Sequence, residues 1–235
     1  MSEYFIFAGY DTRTLGVEVF EGDTFSAPQR LYEQAEVPGR SGSLLTDMKR
    51  YGDITHTYNC VIYQNFENNL QQLRNILASR VGYQRLEDSI HPDEFYKAYY
   101  ADDFTSFVNP HRDMGHCEIN FIRKPQRYLK SGETATTFTE NGTITNPTLF
   151  PSQPLIRVYG TGRVGIGSDS ILITSADGYT DIDCEIMEAF NGTSSCNPYI
   201  QLSGIDFPVL KPGNNGITLG TGITRVDITP RWYRL

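Results

Sequence analysis

The chain has 235 residues, of which 39% are hydrophobic and 12% aromatic, and its net charge is −8. This composition predicts a folded globular protein with one large domain or two modest ones. The net negative charge argues against a protein that binds nucleic-acid phosphates, because such binding needs clustered cations. The sequence contains no apolar run long enough to span a bilayer, and polar residues interrupt its first apolar stretch, so we expect a soluble protein made in a cytosol.

The cysteines lie far apart in the sequence and form no C-x-x-C pair, so their spacing is unlike that of a zinc ribbon or a small disulfide-rich scaffold. Free cysteine packs as a small hydrophobic residue, and we therefore expect reduced, buried thiols and no bound metal. The four positions are Cys60, Cys117, Cys184 and Cys196.

Composition changes near residue 130, which predicts two domains, residues 1–130 and residues 131–235. The first segment holds 20 of the 29 aromatic residues and 14 of the 20 lysines and arginines, whereas the second holds 13 of the 21 glycines. The polar segment 131–137 has no apolar periodicity, so it is typical of a linker or of an exposed lead into a strand.

One helix and several strands are predicted in the first domain. The helix covers residues 66–80, with Asn65 as its N-terminal cap and Gly82 as the left-handed residue beyond its end. Its apolar stripe comprises Phe66, Leu70, Leu73, Ile76 and Leu77. Apolar alternation predicts strands at residues 4–8, 15–20, 31–37, 51–63, 85–89, 94–101 and 115–123.

The second domain is predicted to be β throughout. Short apolar runs separated by Gly, Asp or Asn occur at residues 155–159, 162–166, 170–174, 180–188 and 199–202, and alternation resumes at Val226 and Ile228. Strands at intervals of about 8–12 residues are typical of a sandwich.

The segment 37–45 is predicted to turn sharply. Pro38 and two glycines, Gly39 and Gly42, surround Arg40. Arg40 has two interpretations: a solvated side chain, or an anchor that reaches a neighbouring carboxylate bidentately. The strand predicted at 51–63 has Tyr58 and Tyr63 on opposite faces. Large side chains on both faces are typical of a sheet that a helix covers on one side and a neighbouring subunit covers on the other.

The order of these features resembles the distal tail protein (Dit) family of long-tailed, non-contractile bacteriophages that infect Gram-positive hosts. The resemblance covers nearly the whole chain. It depends on the turn at 37–45, the tyrosine-rich strand and helix after it, and the closing Phe121-Ile122-Arg123-Lys124-Pro125. Its strongest part is the strand and proline-glycine-asparagine turn of residues 205–217, followed by Pro230-Arg231-Trp232.

The resemblance implies a mainly β (α+β) fold. Residues 1–130 would form a β-sandwich-like domain of the tail-tube type with one helix, and residues 131–235 a galectin-like β-sandwich. It implies a non-enzymatic hexameric ring at the virion tail tip, with no cofactor and no membrane contact, through which DNA passes unbound. The ring would join the tail tube protein to a tail-associated lysin or hub protein and dock receptor-binding proteins or side fibres. The expected ring-interface residues are Gly39, Arg40, Gly42, Tyr58 and Tyr63.

Catalytic and metal sites find little support in the sequence. His111, Asp113 and His116 lack the spacing of converging ligands, and Asp177, Asp181 and Asp183 do not follow a calcium-loop order. Asp183, Glu185 and Glu188 offer carboxylates to a glycosidase, but nothing else singles them out. The glycine-rich segment 160–165 is predicted to be a β-turn, because no helix pattern follows it.

A carbohydrate-binding adhesin is the alternative function. A galectin-like sandwich suggests it, and Trp232 or Tyr199 could stack on a sugar ring.

Overall fold

The computed structural model describes residues 3–22, 26–63, 65–108 and 114–235. The chain divides into two compact units. Unit 1 comprises Met1–Arg127 with Leu235, and unit 2 comprises Tyr128–Arg234. This division lies within a few residues of the boundary predicted from composition. No helix in the described part of the chain is long and apolar enough to cross a membrane.

Most of unit 1 is one sheet, with strands in the order β2-β1-β7-β8-β9-β6-β3, and strands β4 and β5 form a separate two-stranded hairpin. A short 3-10 helix (Thr12–Leu15) precedes β3, and the α-helix α1 (Phe66–Ala78) follows β6. The strands are β1 (Phe5–Phe7), β2 (Tyr10–Asp11), β3 (Val17–Gly22), β4 (Arg30–Ala35), β5 (Leu44–Tyr51), β6 (Ile54–Tyr63), β7 (Gln84–Asp88), β8 (Glu94–Val108) and β9 (Met114–Leu129), the last two residues of which belong to unit 2.

Helix α1 covers the sheet with the stripe that the sequence predicts. Phe66, Leu70, Leu73 and Leu77 are buried in the same core as the strands. The helix ends at Ala78, two residues earlier than predicted. Asn65 occupies the cap position in the left-handed conformation, but its side chain makes no capping hydrogen bond, so the prediction of its role was wrong.

The core of unit 1 is rich in aromatic rings around Tyr58. Phe5 stacks on the Tyr58 ring at a centroid distance of 4.8 Å, and Phe121 packs edge-on against Phe5 at 5.6 Å. The Tyr58 hydroxyl donates a hydrogen bond to Asp88 Oδ2 at 2.9 Å. Burial, followed by the nearby Asp88 charge, raises the pKa of Tyr58 well above its ordinary value, so the hydroxyl remains a donor.

Asp88 is itself buried, and it is satisfied by several donors besides Tyr58. The backbone N–H groups of Ile90 and His91 donate to Asp88 Oδ1 at 3.0 and 2.7 Å. A buried carboxylate is costly unless hydrogen bonds replace its hydration. Tyr58 and Asp88 therefore join β6 to the loop that follows β7.

Unit 2 is a β-sandwich whose two sheets enclose one apolar core. One sheet has the order β10-β20-β12-β15-β16-β17, and the other has the order β11-β19-β13-β14-β18. Two further 3-10 helices span Lys130–Glu133 and Asn197–Tyr199. The strands are β10 (Thr136–Phe138), β11 (Gly142–Asn146), β12 (Leu155–Gly160), β13 (Gly162–Ile166), β14 (Asp169–Ile173), β15 (Tyr179–Asp183), β16 (Glu188–Asn191), β17 (Ser194–Ser195), β18 (Ile200–Leu202), β19 (Gly213–Leu219), β20 (Ile223–Thr229) and β21 (Tyr233–Arg234).

Two glycines allow the turns at one end of the sandwich to approach each other. Gly160 has φ +102°, and a Cβ added to it would lie 2.2 Å from the carbonyl oxygen of Gly222. Gly160 ends β12 and residues 162–165 belong to β13, so the prediction of a β-turn across 160–165 was wrong; a bend at Thr161 separates the two strands, and the strand predicted at 162–166 is β13. At the other end, the backbone N–H of Leu129 donates to the carbonyl of Trp232 at 2.8 Å, which ties the last strand β21 to β9.

The predicted fold class is confirmed: the chain is mainly β, and α1 is the one α-helix among the described residues. Two predicted strands are each divided in the structure. The segment 51–63 contains the end of β5 and all of β6, and the segment 180–188 is interrupted by a turn between β15 and β16. Most of β5 lies outside the predicted strands, and its first two residues fall within the turn predicted at 37–45.

We predict that Tyr58→Phe destabilises unit 1 by about 1–3 kcal/mol, because it removes a donor from a buried carboxylate and leaves the packing intact. Scanning calorimetry of the full chain measures the effect as a lower midpoint of the unit 1 transition. Tyr63→Phe, at an exposed position of the same strand, is the matched control and should change stability by less than about 0.5 kcal/mol. Equal effects of the two substitutions would contradict this account of Tyr58.

Candidate assembly surface

The turn predicted around Arg40 forms the tip of the β4–β5 hairpin. Gly39 and Gly42 have φ values of +83° and +85°, a region that favours glycine. The backbone N–H of Arg40 donates to the carbonyl of Val37 at 3.1 Å, which closes the turn. All residues of the tip, 36–43, are exposed, and a Cβ added to either glycine would meet no atom within 4 Å. The two glycines are therefore favoured because the backbone has positive φ at both positions, and not because a larger side chain would collide with a neighbouring atom.

An ion pair fixes the base of the hairpin. Arg30 Nε donates to Asp47 Oδ1 at 3.1 Å, its Nη2 donates to Oδ2, and the Lys49 backbone N–H donates to Oδ1 at 2.9 Å. The hydrogen bond from Arg30 and then that from Lys49 lower the pKa of Asp47 to about 2. The pair makes little difference to overall stability because both groups are exposed, but it orients the two strands.

Large apolar side chains are exposed along the hairpin, and we call this set the hairpin surface. Leu44 pairs with Ala35, and Leu45 pairs with Gln34. Successive residues of a strand point to opposite faces, so both faces of the ribbon carry an apolar side chain. The hairpin surface comprises Tyr32, Val37, Leu44, Leu45 and Met48.

Within the described ranges, no third strand pairs with β4 or β5. An isolated two-stranded hairpin is marginally stable in water, and it gains stability when a further element covers it. A contiguous exposed apolar surface also marks a site of protein interaction. Within the described part of the chain, the apolar side chains of the hairpin remain exposed and no further strand covers them.

The expected interface residues are distributed over two places in unit 1. Gly39, Arg40 and Gly42 lie together at the hairpin tip, whereas Tyr63 is the last residue of β6, where its side chain is 44% exposed and its backbone N–H donates to the carbonyl of Gly16. Tyr58 is fully buried in the core of its own subunit and therefore cannot contact a neighbour. Alternation located the two tyrosines on opposite faces but could not tell which face the helix covers.

The histidine-based metal site finds no support in the described residues. His111 and Asp113 lie outside them, and the exposed His116 packs its ring edge-on against Phe20 at a centroid distance of 5.7 Å. No cluster of three or more potential ligands occurs in the part of the chain that the structure describes.

Two of the aspartates considered for calcium are bound by arginines instead. Arg157 donates to both oxygens of Asp181 at 2.7 and 2.8 Å, and Arg231 does the same to Asp183. Burial is the largest single influence and would raise the pKa of Asp183, but the hydrogen bonds and charge of Arg231, together with the backbone N–H groups of Glu185 and Ile186, lower the pKa overall. Asp183 is therefore an ionised structural carboxylate, which is the wrong state for the general acid of a glycosidase. Glu185 also approaches Arg231, at 3.5 Å.

The aromatic residues considered for sugar stacking differ in exposure. Trp232 is only 5% exposed and packs in the core of unit 2, so it cannot stack on a sugar ring; Tyr199 remains half exposed. Two further tyrosines of the six-stranded sheet are covered by guanidinium groups: Arg225 lies 4.8 Å from the Tyr159 ring centroid and Arg157 lies 4.4 Å from that of Tyr179. One face of each ring is therefore already occupied by a guanidinium group.

The sequence interpretation missed the apolar residues of the hairpin surface. Leu44 and Leu45 lie within the turn predicted at 37–45, and Met48 lies in no predicted element. The sequence does contain a weak strand pattern here, because Leu44, Thr46 and Met48 occupy alternate positions and share one face. This pattern is short and adjoins a glycine-rich segment.

No protein-family model and no curated protein sequence matches the chain. Solved structures do. One is the Dit (gp 19.1) protein of phage SPP1, described as a hub adsorption apparatus of phages that infect Gram-positive bacteria, with a TM-score of 0.77, 14% identity and 100% coverage of both chains. Another is a chain of the phage p2 baseplate in its activated conformation, with a TM-score of 0.54, 11% identity and coverage of 100% of this chain and 98% of that one. The predicted resemblance is confirmed at the level of fold.

We predict that Asp47 titrates with a pKa of about 2 because of Arg30. Since this value lies below the ordinary one, the ion pair is fully formed above about pH 4 and is lost as the pH falls towards 2. Carbon-13 NMR of carboxyl-labelled aspartate measures the midpoint directly. In Arg30→Met the midpoint should rise towards the ordinary value of 3.8. An ordinary midpoint in the unmodified protein would contradict the ion pair.

Proposed function

We propose that the chain is a structural subunit of a bacteriophage tail tip, a distal tail protein of the Dit type. Unit 1 forms a hexameric ring that continues the tail tube and seats a tail-associated lysin or hub protein. Unit 2 docks receptor-binding proteins or side fibres. The likeness in fold to the SPP1 and p2 proteins over the whole chain supports this proposal.

The observation that carries the proposal is the exposed hairpin surface. A side chain such as Leu45 stabilises an interface by roughly 1.5–3 kcal/mol when it is fully buried. A heterologous contact, in which the hairpin of one subunit covers a different surface of the next, closes into a ring when the rotation is right. We infer that Gly39, Arg40, Gly42 and Tyr63 belong to this contact.

The acidity of the chain is consistent with a ring through which DNA passes without binding. The net charge is −8, and like charges on a ring wall and a DNA backbone repel each other. Assembly takes place in the bacterial cytoplasm, and the finished subunit belongs to the virion tail. Among the described residues, the aspartates considered for metal binding or catalysis lend no support to an enzymatic role, because Arg157 binds Asp181 and Arg231 binds Asp183.

The carbohydrate-binding adhesin is less well supported. Of its two candidate aromatics, Trp232 is buried, which leaves Tyr199. A sugar-binding face usually combines an open ring with unpaired hydrogen-bonding groups, and the arginines and aspartates beside Tyr159 and Tyr179 already bind each other.

We predict that Leu45→Asp prevents ring assembly and leaves the subunit folded. Leu45 is 56% exposed in the isolated subunit, so the substitution costs little there, whereas a carboxylate buried at an interface is costly. Sedimentation and light scattering across concentration, with the protein alone and with its tail-tube and hub partners, should show at least a roughly tenfold weaker association.

Ile205→Asp is the matched control for this experiment. Ile205 is 99% exposed in a loop of unit 2 and should tolerate the same charge without loss of assembly. Calorimetry should show nearly unchanged melting of both variants. Unaltered association of Leu45→Asp, or equal loss in the two variants, would reject the hairpin as the ring contact.

We also predict that Arg40→Ala weakens assembly far more than it weakens folding. Arg40 lies at the exposed tip, and removing its guanidinium takes away donors that a partner's carboxylate would accept. Arg163→Ala, at an exposed position of unit 2, is the control. If the two alanine variants associate like the unmodified protein, Arg40 is a solvated side chain.

A further inference from the structure

Two buried cysteines face each other in the centre of the unit 1 sheet. Cys60 on β6 and Cys117 on β9 are direct partners in the antiparallel register. Their exposures are 0% and 3%, and both are free thiols. The other two cysteines belong to unit 2 and have no such pairing in the described register.

The register brings the Cα atoms of these two residues within the range that a disulfide spans. Directly opposed residues of an antiparallel pair have Cα atoms about 4.5 or 5.5 Å apart, and disulfides span Cα separations of about 4.4–6.8 Å. The neighbouring Cys117 thiol, followed by burial, raises the pKa of Cys60 far above its ordinary value. A disulfide at this position therefore requires little movement of the strands.

We propose that Cys60 and Cys117 form a reversible intrachain disulfide in the presence of a small-molecule disulfide such as oxidised glutathione. The Cys60 thiol loses its proton, and the thiolate attacks one sulfur of the oxidant and expels one glutathione thiolate. The Cys117 thiolate then attacks the Cys60 sulfur of the mixed disulfide and expels the second glutathione. The chain loses two electrons and two protons, and two reduced glutathione molecules carry them away.

The bond would fasten the strands from which the hairpin projects. β6 follows β5 directly in the chain and pairs with β9 along its whole length. A link between β6 and β9 lowers the conformational entropy of the unfolded chain. It therefore stabilises unit 1 without changing the hairpin surface. This inference does not depend on the proposed function. Because the thiols are buried, the bond forms during folding or after local opening of the sheet.

The test is to refold the reduced, unfolded full chain to equilibrium in a buffer of reduced and oxidised glutathione. Because the unfolded chain exposes both thiols to glutathione, their burial in the folded protein cannot prevent the reaction in this experiment. Peptide mass spectrometry should find Cys60 linked to Cys117, with Cys184 and Cys196 as thiols. The melting temperature of unit 1 should rise by roughly 10 °C relative to the reduced protein. The same peptide analysis of native protein, held in this buffer below its melting temperature, provides an independent second measurement of the link between Cys60 and Cys117.

Cys60→Ala and Cys184→Ala are matched variants, since both replace a buried thiol with a small apolar side chain. Cys184→Ala should retain the linked peptide and the rise in melting temperature, and Cys60→Ala should lose both. The proposal is overturned if Cys60 and Cys117 remain thiols or carry glutathione separately in the folded protein. It is also overturned if either one links to a cysteine of unit 2.

Discussion

The β4–β5 hairpin imposes the main physical constraint on this protein. A two-stranded ribbon has no interior, so apolar side chains on its two faces stay in water until another surface covers them. Tyr32, Leu44 and Leu45 are in this position. The Arg30–Asp47 pair and the glycines of the tip hold the ribbon in shape while it is uncovered. We propose that assembly covers this surface.

The rest of unit 1 provides the fixed base that such a hairpin needs. The aromatic core around Phe5, Tyr58 and Phe121 is packed from several strands, and the Tyr58–Asp88 hydrogen bond links it to the loop after β7. Strand β6 begins soon after the hairpin ends and pairs along its length with β9.

The sequence predicted those features that depend on local pattern. The helix could be predicted because its apolar stripe has helical spacing, and the turn at Gly39 and Gly42 because glycine tolerates positive φ. The burial of Tyr58 could not be predicted, since alternation separates two faces without showing which one the helix covers. The arginines bound to Asp181 and Asp183 come from distant positions, so their carboxylates resembled ligands in the sequence.

The most direct test of the assembly account is an electron-microscopy reconstruction of the assembled protein, alone or on its tail. The account predicts six copies of unit 1 about a common axis, with the β4–β5 hairpin of each subunit lying against the next. A reconstruction without rotational symmetry, or a symmetric ring in which Leu44 and Leu45 still face solvent, would contradict it.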